Sequence, residues 1–320
     1  MKSMLSQYYS STAPAALLQE TDILSVIHFD KSGAGLDIPG CVPIGMASLS
    51  GSCSEVIRVA GHSVTRGRSG SVQWSCGGGL MFAAIRLSAS QCEHLEQSAE
   101  AGYRELFGVL LDAGYPNPFR MWNFLPDINR GEGDAETYKQ FCVGRERGFA
   151  SLGMDTLHYP AASALGHTAR GAVVYALASA APVVHYENPK QQPAYRYPRK
   201  YGPSSPSFAR ASATEHAGVE HVFVSGTASI LGHETKSVGS LVEQLELTID
   251  NIGHLLERIG ATGAPLSAVR VYLRHGEHYE VAARVVEKSL LAQDINFLLA
   301  DICREDLLVE IEAATQIRHG

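Results

Sequence analysis

Two glutamates near the C-terminus, Glu310 and Glu312 in the stretch LLVEIEAAT, form the pair whose spacing speaks most directly of chemistry. Side chains alternate across a strand, so residues two apart share one face while Val309 and Ile311 take the other. Two carboxylates on one face beside apolar neighbours make either a solvated edge, the commoner arrangement, or a site. In a site, burial favours the neutral form of a carboxyl and lets it act as a general acid near neutral pH. Glu310 is the first candidate for that acid and Glu312 the next.

The elements that must position this strand follow from periodicity. From Ser240 to Ile259, Leu241, Leu245, Ile249, Ile252, Leu255, Leu256 and Ile259 recur at steps of three and four, which predicts a helix. Before it stands the apolar VFVSGTASILG; after it come Gly260 to Pro265, the strand AVRVYLR, a helical stretch from His278 to Gln293, and the terminal strand. The first half repeats this order with GLMFAAIRLS, a helix over 91–111, the breaker DAGYPNP, the strand FRMWNFL, a helix over 135–150 and GAVVYALAS. Glu96 and Gln97 stand in the first long helix much as Glu243 and Gln244 stand in the second. The pattern is that of an internal duplication. GAVVYALAS carries no carboxylate where its counterpart carries Glu310 and Glu312, so the fold does not require them and one copy is specialised.

Between the halves lies YENPKQQPAYRYPRKYGPSSPSFARA, a linker by composition but an unusually basic and aromatic one. The resulting division is residues 1–188, a linker over 189–217, and 218–320. Two similar halves are expected, each a mixed sheet backed by helices, with the pocket lined by the second half and roofed by the linker.

Composition excludes several classes. A net charge of −7 without a basic run argues against nucleic acid or an anionic membrane surface as partner. Six scattered cysteines, with no C-x-x-C pair, read as free thiols of a cytoplasmic protein. Nucleotide, dinucleotide, zinc-protease and hydrolase-elbow motifs are absent. His275 and His278 read as a solvated turn, and the run Gly77, Gly78, Gly79 as a tight turn before a strand.

The C-terminal unit, with its VFVSGTASILG, AVRVYLR and VEIEA segments, is similar to the RidA/YjgF family. More of the chain resembles the chorismatases, which couple two RidA-like halves. The matching segments are FRMWNFLPDIN, YKQFCVGRERGF, AYRYPRKYGPSSPSFARA, VSGTAS and CREDLLVEIEA. This resemblance implies an α+β fold (an α/β sandwich) of two RidA/YjgF-like halves. It also implies an enzyme that takes pyruvate from chorismate without metal or organic cofactor. Chorismate carries two carboxylates, an enol ether and a ring alcohol. Planar guanidinium forks suit carboxylates, so Arg210 and Arg274 are candidate clamps, with Tyr201 as hydroxyl donor and Glu312 as a further substrate contact.

The stretch SLLAQDINFLLADIC lacks the arginine with which RidA-type imine deaminases hold a substrate carboxylate, which puts imine hydrolysis in doubt. In chorismatases that form 3-hydroxybenzoate, a glycine in the S-G-T-A-S segment and a cysteine seven residues before the glutamate are characteristic. Gly226 and Cys303 match both, and Cys303 would supply a weak acid or base. 3-Hydroxybenzoate is the expected product. Hydrolysis to a dihydroxycyclohexadiene carboxylate, imine deamination and non-catalytic metabolite binding are the alternatives, and a monomer and a homotrimer both stay open.

Overall fold

The structure, a computed structural model, describes residues 5–33, 35–36 and 38–317. Its N-terminal residues show no helical periodicity and form a sheet of their own. The strands are β1 (Leu5–Ser10), β2 (Ile23–Asp30), β3 (Cys41–Gly45) and, beyond the two-residue β4 (Ala47–Ser48), β5 (Ser54–Val59). They lie in the order β1-β5-β2-β3, while β4 pairs elsewhere. The short helix α1 (Pro14–Leu17) buries Leu17 in a small cluster with Ile23, Val26 and Val56.

The first half opens with the hairpin β6 (Thr65–Ser69) and β7 (Val72–Gly77), followed by β8 (Leu80–Leu87). A capped turn of helix α2 (Ala89–Cys92), helix α3 (Leu95–Asp112), β9 (Asn117–Pro126), α4 (Thr137–Ser151), β10 (Ala161–His167) and β11 (Ala172–Ser179) complete it. The second half contains β12 (Val183–Tyr186), β13 (Ala211–His216), β14 (Val219–Ala228) and a small hairpin, β15 (Ile230–Leu231) with β16 (Glu234–Thr235). It continues through α5 (Leu241–Ile259), β17 (Leu266–Leu273), α6 (Tyr279–Ser289), β18 (Ile295–Leu299) and β19 (Val309–Ile317). Gly260 ends α5 in the left-handed region at φ 82°, the usual glycine stop.

The duplication is met strand for strand. The first-half sheet runs β10-β9-β11-β8-β7-β6 and the second β18-β17-β19-β14-β13-β12, with β4 added outside β18. In both, the end pair is parallel (β9/β10 and β17/β18) and the other pairings within the six matched strands are antiparallel. The α+β class of two similar halves, each a mixed sheet backed by helices, therefore holds. Strands β10 and β18 and the two leading antiparallel pairs, β6/β7 and β12/β13, add to the repeat read from periodicity. β12 and β13 pair across the Pro/Tyr/Arg-rich segment, so that its last residues lie within the second sheet and the rest loops out between two neighbouring strands.

One face of each large sheet packs on its helices. Tyr103, Phe107, Phe141 and Phe149 meet Met81, Ile85 and Val174 in the first half; Leu245, Ile252 and Leu255 meet Val222, Val269 and Val271 in the second. The opposite faces and the N-terminal sheet share a third core of Ile27, Ile44, Ile57, Phe82, Trp122, Phe124, Tyr175, Tyr272 and Leu298. Each such side chain contributes about 1.5–3 kcal/mol by leaving water. The N-terminal residues are thus a third wall of the molecule's centre, a role not visible in composition.

Candidate active site

Strand β10 is an edge of the first sheet, and unpaired edge amides must find acceptors. They find them in the second half: Ala161 N donates to Ser212 Oγ (2.8 Å), Ala162 N to Ser225 Oγ (3.0 Å) and Gly166 N to the Asp301 carbonyl (2.7 Å). A cavity of about 470 Å³ opens beside this seam, within the roughly 300–1,000 Å³ usual for small-molecule sites.

β14 carries a bulge here. Val224 faces Ala313 but Thr227 faces Ile311, which leaves one extra residue on β14. At the bulge, a β-carbon on Gly226 would collide with the Glu310 carboxyl and stand 3.0 Å from Ser163 Oγ. Glycine there leaves the space that the Glu310 carboxyl occupies.

Glu310 lines the cavity, is 4% exposed, and makes no side-chain hydrogen bond or ion pair among the described residues. Burial, reinforced by the charge of Glu312, pushes its pKa up to about 8 against the opposing pull of Arg120 and Arg210. Burial thus favours the protonated carboxyl near neutral pH, the form a general acid needs.

Of the other residues singled out from sequence, Gly226, Cys303, Arg210 and Tyr201 also line this cavity. Arg210 is 3% exposed; its Nη2 donates to Tyr197 Oη (2.8 Å) and the Gln192 carbonyl (2.9 Å), and its buried Nε has no partner. Tyr201 places its hydroxyl 3.2 Å from His233 Nδ1, and Arg304 stacks 4.1 Å over its ring. The Cys303 thiol is pushed up to about 12, by burial first and the Glu310 charge second. Of the weak acid or base expected at this position, the raised pKa favours the neutral thiol, a weak donor.

Two candidates lie elsewhere. Arg274 does not face the cavity. Its Nε donates to the Leu307 carbonyl (2.8 Å), Nη1 to Asp301 Oδ1 (2.7 Å) and Asn129 Oδ1 (3.2 Å), and Nη2 to the Ile302 and Arg304 carbonyls (2.9 Å each). With its donors so engaged it organises the loop carrying Cys303 and Arg304 instead of clamping a ligand. Gln244, fully buried, holds the same loop by donating to the Asp306 carbonyl (2.8 Å) and accepting from Leu308 N (2.8 Å). Its sequence counterpart Gln97 is exposed.

Glu312 lies behind the cavity wall. It accepts from Arg120 Nη2 (2.5 Å), Ser163 Oγ (2.5 Å) and Trp122 Nε1 (2.7 Å), and Arg270 Nη1 is 3.2 Å away. Arg120 and Arg270 overcome the burial cost and hold this carboxyl below the usual range. A buried anion so enclosed has no acceptor site left for a substrate's donors.

The first half also contributes to the wall, contrary to the expectation of a cavity lined by the second half under the linker. Arg145, Tyr138 and Ser163 all line it. Gly144 and Gly148 let α4 approach α3 closely, since β-carbons there would strike the Glu96 carbonyl and Tyr103. Arg145, between them, is 1% exposed, 5.2 Å over the Phe141 ring, and in no ion pair among the described residues. Its one sequence signal was its place in YKQFCVGRERGF.

Comparison with known proteins identifies the family. The sequence profile described as "Chorismatase FkbO/Hyg5-like, N-terminal" matches residues 55–178. A 3-hydroxybenzoate synthase of Streptomyces hygroscopicus is 41% identical over 233 residues, 68% of this chain and 68% of that protein. A chorismatase of the same organism is 33% identical over 265 residues, covering 79% and 76%. A chorismatase crystal structure superposes with a TM-score of 0.87 at 28% identity, covering 97% of this chain and 98% of the other. With the fold and these relatives in agreement, the chain belongs to the chorismatase family.

Proposed function

We propose that this protein cleaves chorismate to pyruvate and 3-hydroxybenzoate, with Glu310 as the general acid. The observation that carries the reading is a charge pattern. Arg145 and Arg210 are almost completely buried, neither has an ion-paired carboxylate among the described residues, and both line one cavity with a protonated acid. An unpaired buried cation is costly, so such a cavity is built for a ligand that supplies the missing negative charge. Chorismate is a dianion of suitable size.

Glu310 delivers its proton to the methylene carbon of the enolpyruvyl group, which turns the ether into an oxocarbenium-like leaving group. The neighbouring ring hydroxyl then attacks the ether-bearing ring carbon. The carbon–oxygen bond breaks with its electron pair moving to oxygen, pyruvate departs, and the hydroxyl proton returns to Glu310. The resulting arene oxide opens and loses a ring proton to give the phenol. Atoms balance without water. General acid catalysis supplies about two to four powers of ten in rate, and the arginines supply positioning and charge stabilisation. The small Gly226 and the un-ionised Cys303 beside the acid leave room for a ring pose in which the hydroxyl, not water, is the nucleophile. Incubation with chorismate, with enzymatic assay of pyruvate and chromatography of the ring product, tests the reading. Binding without pyruvate release would leave a sensor, and release with only the diol would leave a hydrolase.

A further inference from the structure

We propose that Glu312 is a positioning residue for this reaction: an anion locked behind the cavity wall that keeps the proton on Glu310 between turnovers. The proposal rests on Glu310 being the acid and concerns what holds it ready.

Glu310 and Glu312 share one face of β19, about 7 Å apart along the strand by its rise per residue. Two carboxyls so close in a water-poor interior do not both ionise freely, and the distribution of donors decides which one does. Here the distribution is one-sided. Trp122 Nε1 and the guanidinium of Arg120 can only donate, and both point at Glu312, together with Ser163 Oγ. Glu310 receives no donor among the described residues. Ser163 is itself fixed in its donating role, because its oxygen accepts from Arg120 Nη2 (2.7 Å) and Gly226 N (2.9 Å).

A second feature guards the arrangement. Arg270 faces Glu312 in register across β17 and β19, and its Nε pairs with Glu55 of the N-terminal sheet. Glu55 is wholly buried and also accepts from Gln7 Nε2 (2.8 Å). Two carboxylates and two guanidiniums thus balance, so Glu312 stays ionised and offsets Arg120, whose charge would otherwise act on Glu310 unopposed. The groups facing Glu310 are then Glu312 on its own strand, Arg120 on β9, Ser163 on β10, Arg210 before β13, Gly226 on β14 and Cys303 in the loop. Among them Glu312 alone favours the protonated acid by its charge.

The test is the pH profile of kcat/KM for pyruvate release by the full chain. Wild type should hold its rate up to about pH 8 and lose it above. Glu312→Gln should move that midpoint down by about one pH unit or more, leaving the variant at pH 8 about tenfold or more below its own low-pH plateau, a loss largely recovered at pH 6. A Glu312→Gln enzyme with an unmoved midpoint and a uniform loss would make Glu312 merely structural and overturn the proposal. Should that variant not fold, carboxyl ¹³C NMR of the wild type decides it. The resonance missing from Glu310→Gln should be that of a protonated carboxyl at pH 7, and an ionised one would overturn the proposal. Full turnover by Glu310→Gln would sink the acid assignment itself, whatever Glu312 does.

Discussion

Gly226, in the bulge of β14, lies against the Glu310 carboxyl of β19 at a separation that a single added methyl group would abolish. Where the Glu310 carboxyl sits and which residue fits beside it at position 226 are therefore one constraint. Gly226→Ala, besides altering the ring pose, is expected to displace the carboxyl and lower total turnover. Combined with Cys303→Ala it should shift the products from 3-hydroxybenzoate toward the non-aromatic diol. Chromatography against standards checks this: an unchanged product ratio in the double variant would remove both residues from product choice.

Glu310→Gln keeps the shape and removes the transferable proton. Pyruvate release should fall by at least about two to four powers of ten, while chorismate binding, measured by calorimetry, stays near that of the wild type.

The alkaline limb of the wild-type profile has a definite sign. On the proposed reading Glu310 works when protonated, and with its pKa raised to about 8 the rate should be retained below that pH and lost above it. An ordinary carboxyl would give a limb near pH 4–5. A rate that climbs through pH 8 would require a base in place of an acid.

Arg145→Met and Arg210→Met should each weaken chorismate binding by about 2–5 kcal/mol. Since each removes a buried charge without an ion partner, the ligand-free melting temperature is expected to hold or rise. Arg274→Ala should show the opposite pattern, with a lower melting temperature and reduced kcat but modest change in affinity, because it frees a loop and not a ligand. Thermal denaturation with and without chorismate separates the two behaviours.

The legible parts of this molecule were the local ones. Helical periodicity gave the two matching halves, and strand alternation put Glu310 and Glu312 on one face. The N-terminal sheet escaped notice because its short strands, broken by glycine, serine and proline turns, gain meaning only by packing against strands far away in the chain. Arg274 was misread because the sequence shows a charge but not the carbonyls of residues 302, 304 and 307 that occupy it. Arg145 and Ser163 were missed for a related reason: the cavity forms where α4 and β10 of one half meet β14 and β19 of the other, and no spacing along the chain encodes that meeting.

The strand-for-strand identity of the two sheets carries one more consequence. In a ring of identical subunits, every substitution at an interface recurs in every copy, so an acidic wall cannot be chosen without repeating it throughout the ring. Joining two copies in one polypeptide lifts that restriction. The first half was free to supply Arg145 and Ser163 to one side of a seam while the second supplied Glu310 and Arg210 to the other. An asymmetric dianion thus meets a site whose asymmetry is written into a single gene.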